Sequence, residues 1–247
     1  MSRCSNQLPL ILAARQAPAH LARRGFLTGA AGIAGAAAWP GGMGAAWAQR
    51  QPDSIHDISG TVRVNGERIN RRGVIKAGDL ITTASDGRVT FVVGADAFFL
   101  RERSELRIEK SPMGDFTVSA LRMLTGAVGA VFGKRQGTQV AINTPTVTAG
   151  IRGTGCYMES RGEGTYFCTC YGAIELTGIR DQTQKELIAA SHHKPKFVLN
   201  EPRDGQWIVD AKVDNTHTDA EMDMLEKCVG RRAPWFTGGP NPYASSP

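Results

Sequence analysis

The chain has 247 residues, of which 41% are hydrophobic and 21% are charged, and its formal net charge is +6. A chain of this size can bury one full hydrophobic core with an extension, but two complete domains would be a tight fit. The basic charge does not indicate a nucleic-acid partner, because residues 1–48 carry four arginines and no acidic residue, so the remainder carries only +2.

The N-terminal segment has the layout of a signal peptide. Arg23 and Arg24 directly precede an apolar stretch rich in Gly and Ala. That stretch is about 15 residues long, whereas a membrane-spanning helix needs roughly 20 strongly apolar residues. Ala46 and Ala48 supply the small residues of a signal-peptidase site. We therefore expect residues 1–48 to be cleaved off and the mature chain to have no stable membrane insertion, the alternative being an uncleaved signal anchor.

The string Arg23-Arg24-Gly25-Phe26-Leu27 resembles the twin-arginine export motif. This resemblance implies that the chain is exported in a folded state, so that a cofactor could be loaded before export. We expect the mature protein to lie in the periplasm.

The pattern of short strands begins near residue 58 and continues to about residue 178. Apolar residues alternate with polar ones between Gly, Asn and Asp turn signals. Asn65-Gly66 predicts a two-residue hairpin turn, and the Gly-rich tip at 161–164 predicts a second hairpin over 156–171. The predicted fold class is all-β, as a sandwich, barrel or β-solenoid over residues 49–180.

The predicted C-terminal extension, residues 181–247, is more polar and contains one helical pattern, over about 219–229. Thr218 and Glu221 form a capping box ahead of that pattern, because each side chain can satisfy a backbone N–H that the helix leaves unpaired. The last eleven residues are rich in Gly, Pro and Ser and predict a flexible tail.

Three segments together resemble the FecR domain, the periplasmic module of iron-citrate signalling regulators and of many other exported proteins. They are Gly78-Asp79-Leu80-Ile81-Thr82-Thr83-Ala84-Ser85-Asp86-Gly87, Leu121-Arg122-Met123-Leu124-Thr125-Gly126-Ala127-Val128, and Asn143-Thr144-Pro145 followed by Gly150-Ile151-Arg152-Gly153-Thr154. The resemblance implies an all-β fold outside the cytoplasm. The regulators of this family also carry a cytoplasmic anti-sigma segment and a transmembrane helix. Only about 22 residues precede Arg23 here, so we expect no direct contact with a sigma factor.

The motif Arg152-Gly153-Thr154 has two interpretations. The guanidinium of Arg152 can bind an anionic ligand, or it can hydrogen-bond within the fold. We favour the structural role. Gly153 has no side chain, so the backbone can come close enough for the guanidinium to hydrogen-bond nearby carbonyl groups.

Four cysteines follow the predicted leader: Cys156, Cys168, Cys170 and Cys228. Cys168 and Cys170 lie two residues apart on a predicted strand, so their side chains point to the same face. One hypothesis is a tetrahedral metal site in which these thiolates are joined by His192, His193 or His217, with zinc, copper or iron as the ion. The alternatives are a cross-strand disulfide between Cys156 and Cys170, which an oxidising compartment favours, and unpaired thiols.

The sequence contains none of the catalytic motifs that define common hydrolases, metalloproteases or nucleotide-binding enzymes. We expect a non-enzymatic sensing, binding or scaffold protein of the cell envelope, with an unidentified envelope protein or glycan as its partner. Four aromatic side chains could form a platform for such a ligand or could be core residues: Tyr157, Tyr166, Phe167 and Tyr171. The alternative function is thiol-redox exchange through Cys168 and Cys170.

Overall fold

A computed structural model describes residues 54–112, 114–134 and 139–236 of the chain. The predicted leader, with Arg23, Arg24, Ala46 and Ala48, and the predicted flexible tail lie outside these residues. The described residues belong to one compact unit, Gln49–Pro247.

The described part of the chain is built mainly from β-strands. They are β1 (Ile55–Ser59), β2 (Val62–Val64), β3 (Glu67–Arg68), β4 (Leu80–Thr83), β5 (Arg88–Val93), β6 (Asp96–Leu100), β7 (Glu105–Ser111), β8 (Gly114–Thr125), β9 (Ala127–Val131), β10 (Val140–Asn143), β11 (Val147–Arg161), β12 (Gly164–Gly178), β13 (Lys185–Ala190), β14 (Lys194–Arg203) and β15 (Gln206–Asp210). The prediction of an all-β fold is confirmed, and the strands form a curled, half-barrel sheet.

The sheet follows the order β1-β5-β6-β9-β11-β10-β8-β7-β4-β2-β3, and β12 continues it from β11. β12 pairs over its length with β11, and on its other side it pairs with β13 and then with β14, which carries β15. The pair β8–β10 is parallel, whereas the other pairs among the described strands are antiparallel. Because β12 is the strand on which the extension assembles, residues of β12 are placed beside both the central sheet and the C-terminal segments.

The two predicted hairpins form as the turn residues require. Asn65 and Gly66 both have positive φ, at 52° and 89°, as a two-residue turn of this kind needs. These two residues connect β2 to β3, and Val64 lies opposite Glu67 in the paired strands. The second hairpin joins β11 to β12 and brings Tyr157 opposite Cys168.

Alternation along the strands sorts apolar side chains into two buried clusters, one on each face of the sheet. On β6, Phe98 belongs to the larger cluster and Phe99 to the smaller one, although the two residues are neighbours. Cys168 and Cys170 belong to the smaller cluster, together with residues of a C-terminal helix. Both faces of β6 are therefore covered, which explains why all five of its residues are buried.

The helix α1 spans Asp219–Cys228 and covers the smaller cluster with Met222 and Leu225, which are fully buried. The predicted capping box is present: the Thr218 side chain accepts from the backbone N–H of Glu221, and the Glu221 side chain accepts from the N–H of Thr218. The prediction of a single helix near the C-terminus is confirmed. Within the described residues, no helix has the length and apolar character needed to span a membrane.

Candidate metal centre

Two cysteines and two histidines converge in the smaller cluster, at the junction of β12 with the C-terminal segments. One ligand atom from each of Cys168, Cys170, His193 and His217 lies within 4.8 Å of every other. Both cysteines are fully buried, His217 is 5% exposed, and the side chain of His193 is 7% exposed. The four side chains are therefore largely shielded from solvent.

Each ligand is positioned by its own local structure. Cys168 and Cys170 lie two residues apart on β12 and point to the same face, as the strand period requires. His193 lies in the β13–β14 turn with a positive φ of 26°, and its backbone N–H donates to the Cys170 carbonyl at 2.9 Å. His217 directly precedes Thr218, the N-cap of α1. A strand, a turn and a helix start thus supply the four side chains.

Three of the distances between these atoms are close to those of a tetrahedral zinc site. With Zn–S bonds of about 2.3 Å and Zn–N bonds of about 2.05 Å, a tetrahedron separates sulfur from nitrogen by about 3.5 Å and two nitrogens by about 3.3 Å. Cys168 Sγ lies 3.5 Å from His193 Nδ1, and Cys170 Sγ lies 3.4 Å from His217 Nε2. His217 Nε2 lies 3.1 Å from His193 Nδ1. The four side chains are therefore arranged to hold one ion at their centre with small adjustments.

Aromatic and acidic residues enclose the group. The ring of His217 stacks on Tyr157, with centroids 4.4 Å apart and planes inclined by 11°. Trp235 lies against His193 at 5.5 Å. Asp219 accepts a hydrogen bond from Nε2 of His193 at 2.8 Å, which leaves the Nδ1 atom of that ring directed at the cysteines.

The surroundings shift the pKa values of both cysteines and of His193. Hydrogen bonding from Cys170, followed by His193 and His217, lowers the pKa of Cys168 to about 4. Burial and the neighbouring Cys168 raise the pKa of Cys170 well above its usual range. Burial opposes ionisation of His193, but hydrogen bonds with Cys168 and Asp219 raise its pKa. The two thiols are thus shifted in opposite directions: Cys168 toward the thiolate that binds a cation, and Cys170 toward the thiol whose proton a cation would displace.

His192, which the sequence analysis included among the possible ligands, lies outside the four-atom group. Its Nε2 atom lies 2.8 Å from Asp219 Oδ1. His192, His193 and Asp219 form a second, adjoining cluster. Of the three predicted histidines, the structure brings His193 and His217 to the sulfurs and directs His192 at the carboxylate.

The alternative disulfide between Cys156 and Cys170 is not formed, and all four described cysteines are free thiols. The strand register gives the reason, because Cys156 lies opposite Thr169 rather than Cys170. The Cys156 side chain consequently enters the larger cluster, whereas Cys170 enters the smaller one on the other face. Cys228 lies on α1, half-buried, with its sulfur 3.8 Å from Met224 Sδ.

The motif Arg152-Gly153-Thr154 lies on β11, and none of its residues belongs to the four-atom ligand group. Arg152 is exposed, and its guanidinium donates two hydrogen bonds to Gln139, at 2.6 and 2.9 Å, when the Gln139 amide is oriented with its oxygen toward the arginine. Gly153 has a positive φ of 57°, and Thr154 is fully buried and donates to the carbonyl of Tyr171. These contacts are of the structural kind that the sequence analysis favoured.

The aromatic residues considered for a ligand platform are buried instead. Tyr157, Tyr166, Phe167 and Tyr171 have exposed fractions of 1%, 1%, 0% and 7%. Strand alternation divides them between the two clusters, with Phe167 alone on the larger one. Core packing, the alternative interpretation, accounts for all four.

Two neighbours of the candidate metal centre were not predicted from the sequence. Asp219 and Trp235 both contact His193, but no spacing rule connects them to it. A signal for Asp219 exists in retrospect, because the residue follows the capping Thr218 and lies two positions after His217. A carboxylate there must lie near the histidine once the helix forms.

Comparison with known proteins leaves the family open. No protein-family model and no curated protein matches the sequence. Two crystal structures described as a "putative anti-sigma factor" from Parabacteroides distasonis are similar to the chain, with 12% and 13% identity and TM-scores of 0.43 and 0.44. Each match covers 55% of this chain and 60% of the other. The chain thus spans about 60% of the length of these neighbours, and similarity at this level assigns no function.

Proposed function

We propose that the protein is a non-enzymatic, FecR-like sensing or binding protein of the periplasm that holds one zinc ion through Cys168, Cys170, His193 and His217. The observation that carries the proposal is the convergence of four buried ligand atoms within 4.8 Å of one another. A set of two thiols and two imidazoles is a usual ligand set for structural zinc.

Zinc fits this ligand set better than copper(II) does. The sulfur and nitrogen distances suit a tetrahedron, whereas copper(II) prefers tetragonal geometry. All four positions would be filled by protein atoms, and a closed site of this kind leaves no place for a substrate. The ion would therefore act in stability or sensing rather than in catalysis.

The position of the site suggests what the ion would do for the fold. His193 lies 25 residues from Cys168 and 24 residues from His217 along the chain. An ion would tie β12, the β13–β14 turn and the start of α1 to one point. Binding would then stabilise the packing of the C-terminal segments on the sheet, because the ligands come together only in the folded chain.

Thiol-redox exchange is the second candidate, and the lowered pKa of Cys168 favours it. Exchange also requires access for a partner thiol, and the exposed fractions of Cys168 and Cys170 are both 0%. The burial supports the metal site over the redox site. Rapid reaction of both thiols with a bulky aromatic disulfide in the native, metal-free protein would reverse this preference.

Metal analysis of untagged, exported protein tests the metal proposal. We expect one zinc per chain, together with four alkylatable thiols after denaturation with a chelator. The double variant Cys168→Ser/Cys170→Ser should lose the zinc, and the matched control Cys228→Ser should keep it, because Cys228 lies outside the group. Protein without metal in which two thiols are missing would contradict the proposal and indicate a disulfide.

The proposed export has a separate test. Expression of the full chain in a host with and without a functional twin-arginine pathway should give periplasmic protein only in the first case. We expect its N-terminus at Gln49, and Arg23→Lys/Arg24→Lys should retain the chain in the cytoplasm. Periplasmic accumulation that is indifferent to these arginines would refute the proposed route.

A further inference from the structure

The carboxylate of Asp219 contacts two histidines through a single oxygen. Oδ1 of Asp219 lies 2.8 Å from Nε2 of His193 and 2.8 Å from Nε2 of His192. Only His193 belongs to the four-atom group around the cysteines. Asp219 is therefore placed directly behind one of the candidate metal ligands, on the side away from the sulfurs.

The two ring nitrogens of His193 have different partners, and this determines what each can do. Nε2 donates its proton to Asp219, so in a neutral ring Nδ1 carries the lone pair that a metal needs. Nδ1 faces Cys168 Sγ at 3.5 Å and His217 Nε2 at 3.1 Å. A carboxylate in this position also makes the imidazole a stronger donor toward a metal.

We propose that Asp219 is the outer-sphere carboxylate of the metal centre: it fixes the tautomer and orientation of His193, while His192 holds the carboxylate in place. This inference rests on the proposed zinc site. It assigns Asp219 as a positioning residue and gives His192 a supporting role instead of the ligand role considered from the sequence.

The carboxylate is held by more than the histidines. Asp219 is the first residue of α1, where the partial positive charge of the helix N-terminus stabilises an anion. Burial opposes its ionisation, but the hydrogen bonds from His193 and His192 lower its pKa. The ring of Trp235 meets His192 edge-on with centroids 4.8 Å apart, which restricts the movement of that imidazole. Asp219 thus connects the metal centre to the first turn of the helix.

A second ion bound by His192, His193 and Asp219 is the competing explanation of the same cluster. Two ligand atoms with bonds of about 2.05 Å to a tetrahedral ion lie about 3.3 Å apart. The two nitrogen–oxygen distances are 2.8 Å, which is the length of a direct N–H···O hydrogen bond to a charged acceptor. The geometry favours hydrogen bonding, and metal stoichiometry separates the two explanations.

The test measures zinc affinity by competition with a chromophoric chelator, for the mature wild-type protein and two Asp219 variants. Asp219→Ala should weaken zinc binding by about 10- to 100-fold, the usual cost of losing an outer-sphere partner. Asp219→Asn keeps an acceptor oxygen but loses the charge. Its zinc affinity should therefore lie between those of the wild type and Asp219→Ala. The spectrum of the cobalt(II) form gives a second readout, since a reoriented His193 should shift its ligand-field bands in Asp219→Ala.

Glu221→Gln is the matched control, because Glu221 lies in the same helical turn, closes the capping box and pairs with Arg101 at 2.8 Å. This variant should be less stable than the wild type and should keep its zinc affinity and cobalt spectrum. Equal affinity losses in Asp219→Ala and Glu221→Gln would show that damage to the helix is responsible and would overturn the inference.

The remaining outcomes distinguish a failure of the Asp219 role from a failure of the proposed zinc site. A wild-type protein that binds no zinc removes the proposed function and the role of Asp219 with it. One zinc per chain with unchanged affinity in Asp219→Ala overturns the role of Asp219 alone. Two zinc ions in the wild type and one in Asp219→Ala would establish the second-ion explanation and likewise overturn the inference.

Discussion

Removal of zinc should lower the melting temperature of the protein by a predictable amount. The ligands lie on β12, in the β13–β14 turn and before α1, at sequence separations of 24 and 25 residues around His193. An unfolded chain does not hold these side chains at one point. Zinc therefore binds the folded state selectively, and the linkage between binding and folding determines the stabilisation.

The size of the effect follows from that linkage. At a free zinc concentration of 1,000 times the dissociation constant, a ligand of the folded state adds about 4.1 kcal/mol to the free energy of unfolding. For a domain of about 200 residues, each kcal/mol raises the melting temperature by about 2 to 4 °C. The zinc form should therefore melt about 8 to 16 °C above the chelator-treated form.

Thermal unfolding followed by circular dichroism, in buffered zinc and in excess chelator, measures this difference. Cys170→Ser should melt at one temperature in both conditions, because serine does not replace the buried thiolate as a ligand. Cys228→Ser should keep the full difference, since its sulfur contacts Met224 and not the metal group. Identical melting temperatures of the wild type with and without saturating zinc would show that zinc does not bind the folded state selectively.

Three further predictions follow. Zinc affinity should rise about tenfold per unit between pH 7 and pH 8, because the raised pKa of Cys170 means that zinc must displace its proton; an affinity independent of pH, measured by titration in matched buffers, would contradict this. Thr218→Ala should lower the free energy of unfolding in urea by about 1 kcal/mol through loss of the helix cap; an unchanged midpoint would show that the cap contributes nothing. Gly129→Ala should cost about 1 to 3 kcal/mol, because the added methyl group would overlap the ring of Phe99, and Phe99→Leu should recover part of that cost.

The sequence was a good guide to the fold wherever local chemistry decides it. Asn65-Gly66 requires positive φ at both positions and forms the expected turn, and Thr218 with Glu221 forms the expected helix cap. Strands β13, β14 and β15 were not predicted within the polar extension. Their sequences show little alternation because β14 ends in exposed residues and β15 is half-buried or exposed throughout. Long-range pairing makes them strands, because β13 and β14 pair with β12 and β15 pairs with β14.

In the candidate site, too, local chemistry was predictable from the sequence and long-range packing was not. Strand periodicity alone places Cys168 and Cys170 on one face, and the structure agrees. Which histidines join them depends on how the β13–β14 turn and the segment before α1 return to the sheet. That path selects His193 and His217 and directs His192 at Asp219. The register of β11 against β12 also determines which face of the sheet Cys156 occupies. A shift of one residue would have moved its sulfur to the other face.

Zinc K-edge X-ray absorption of the untagged protein, purified in its mature form, tests the central proposal most directly. We expect zinc to have two sulfur neighbours at about 2.3 Å and two imidazole nitrogen neighbours at about 2.05 Å. In Cys168→Ser/Cys170→Ser this sulfur shell should disappear together with the bound zinc. A wild-type shell made only of nitrogen and oxygen, or a protein that retains no zinc, would contradict it.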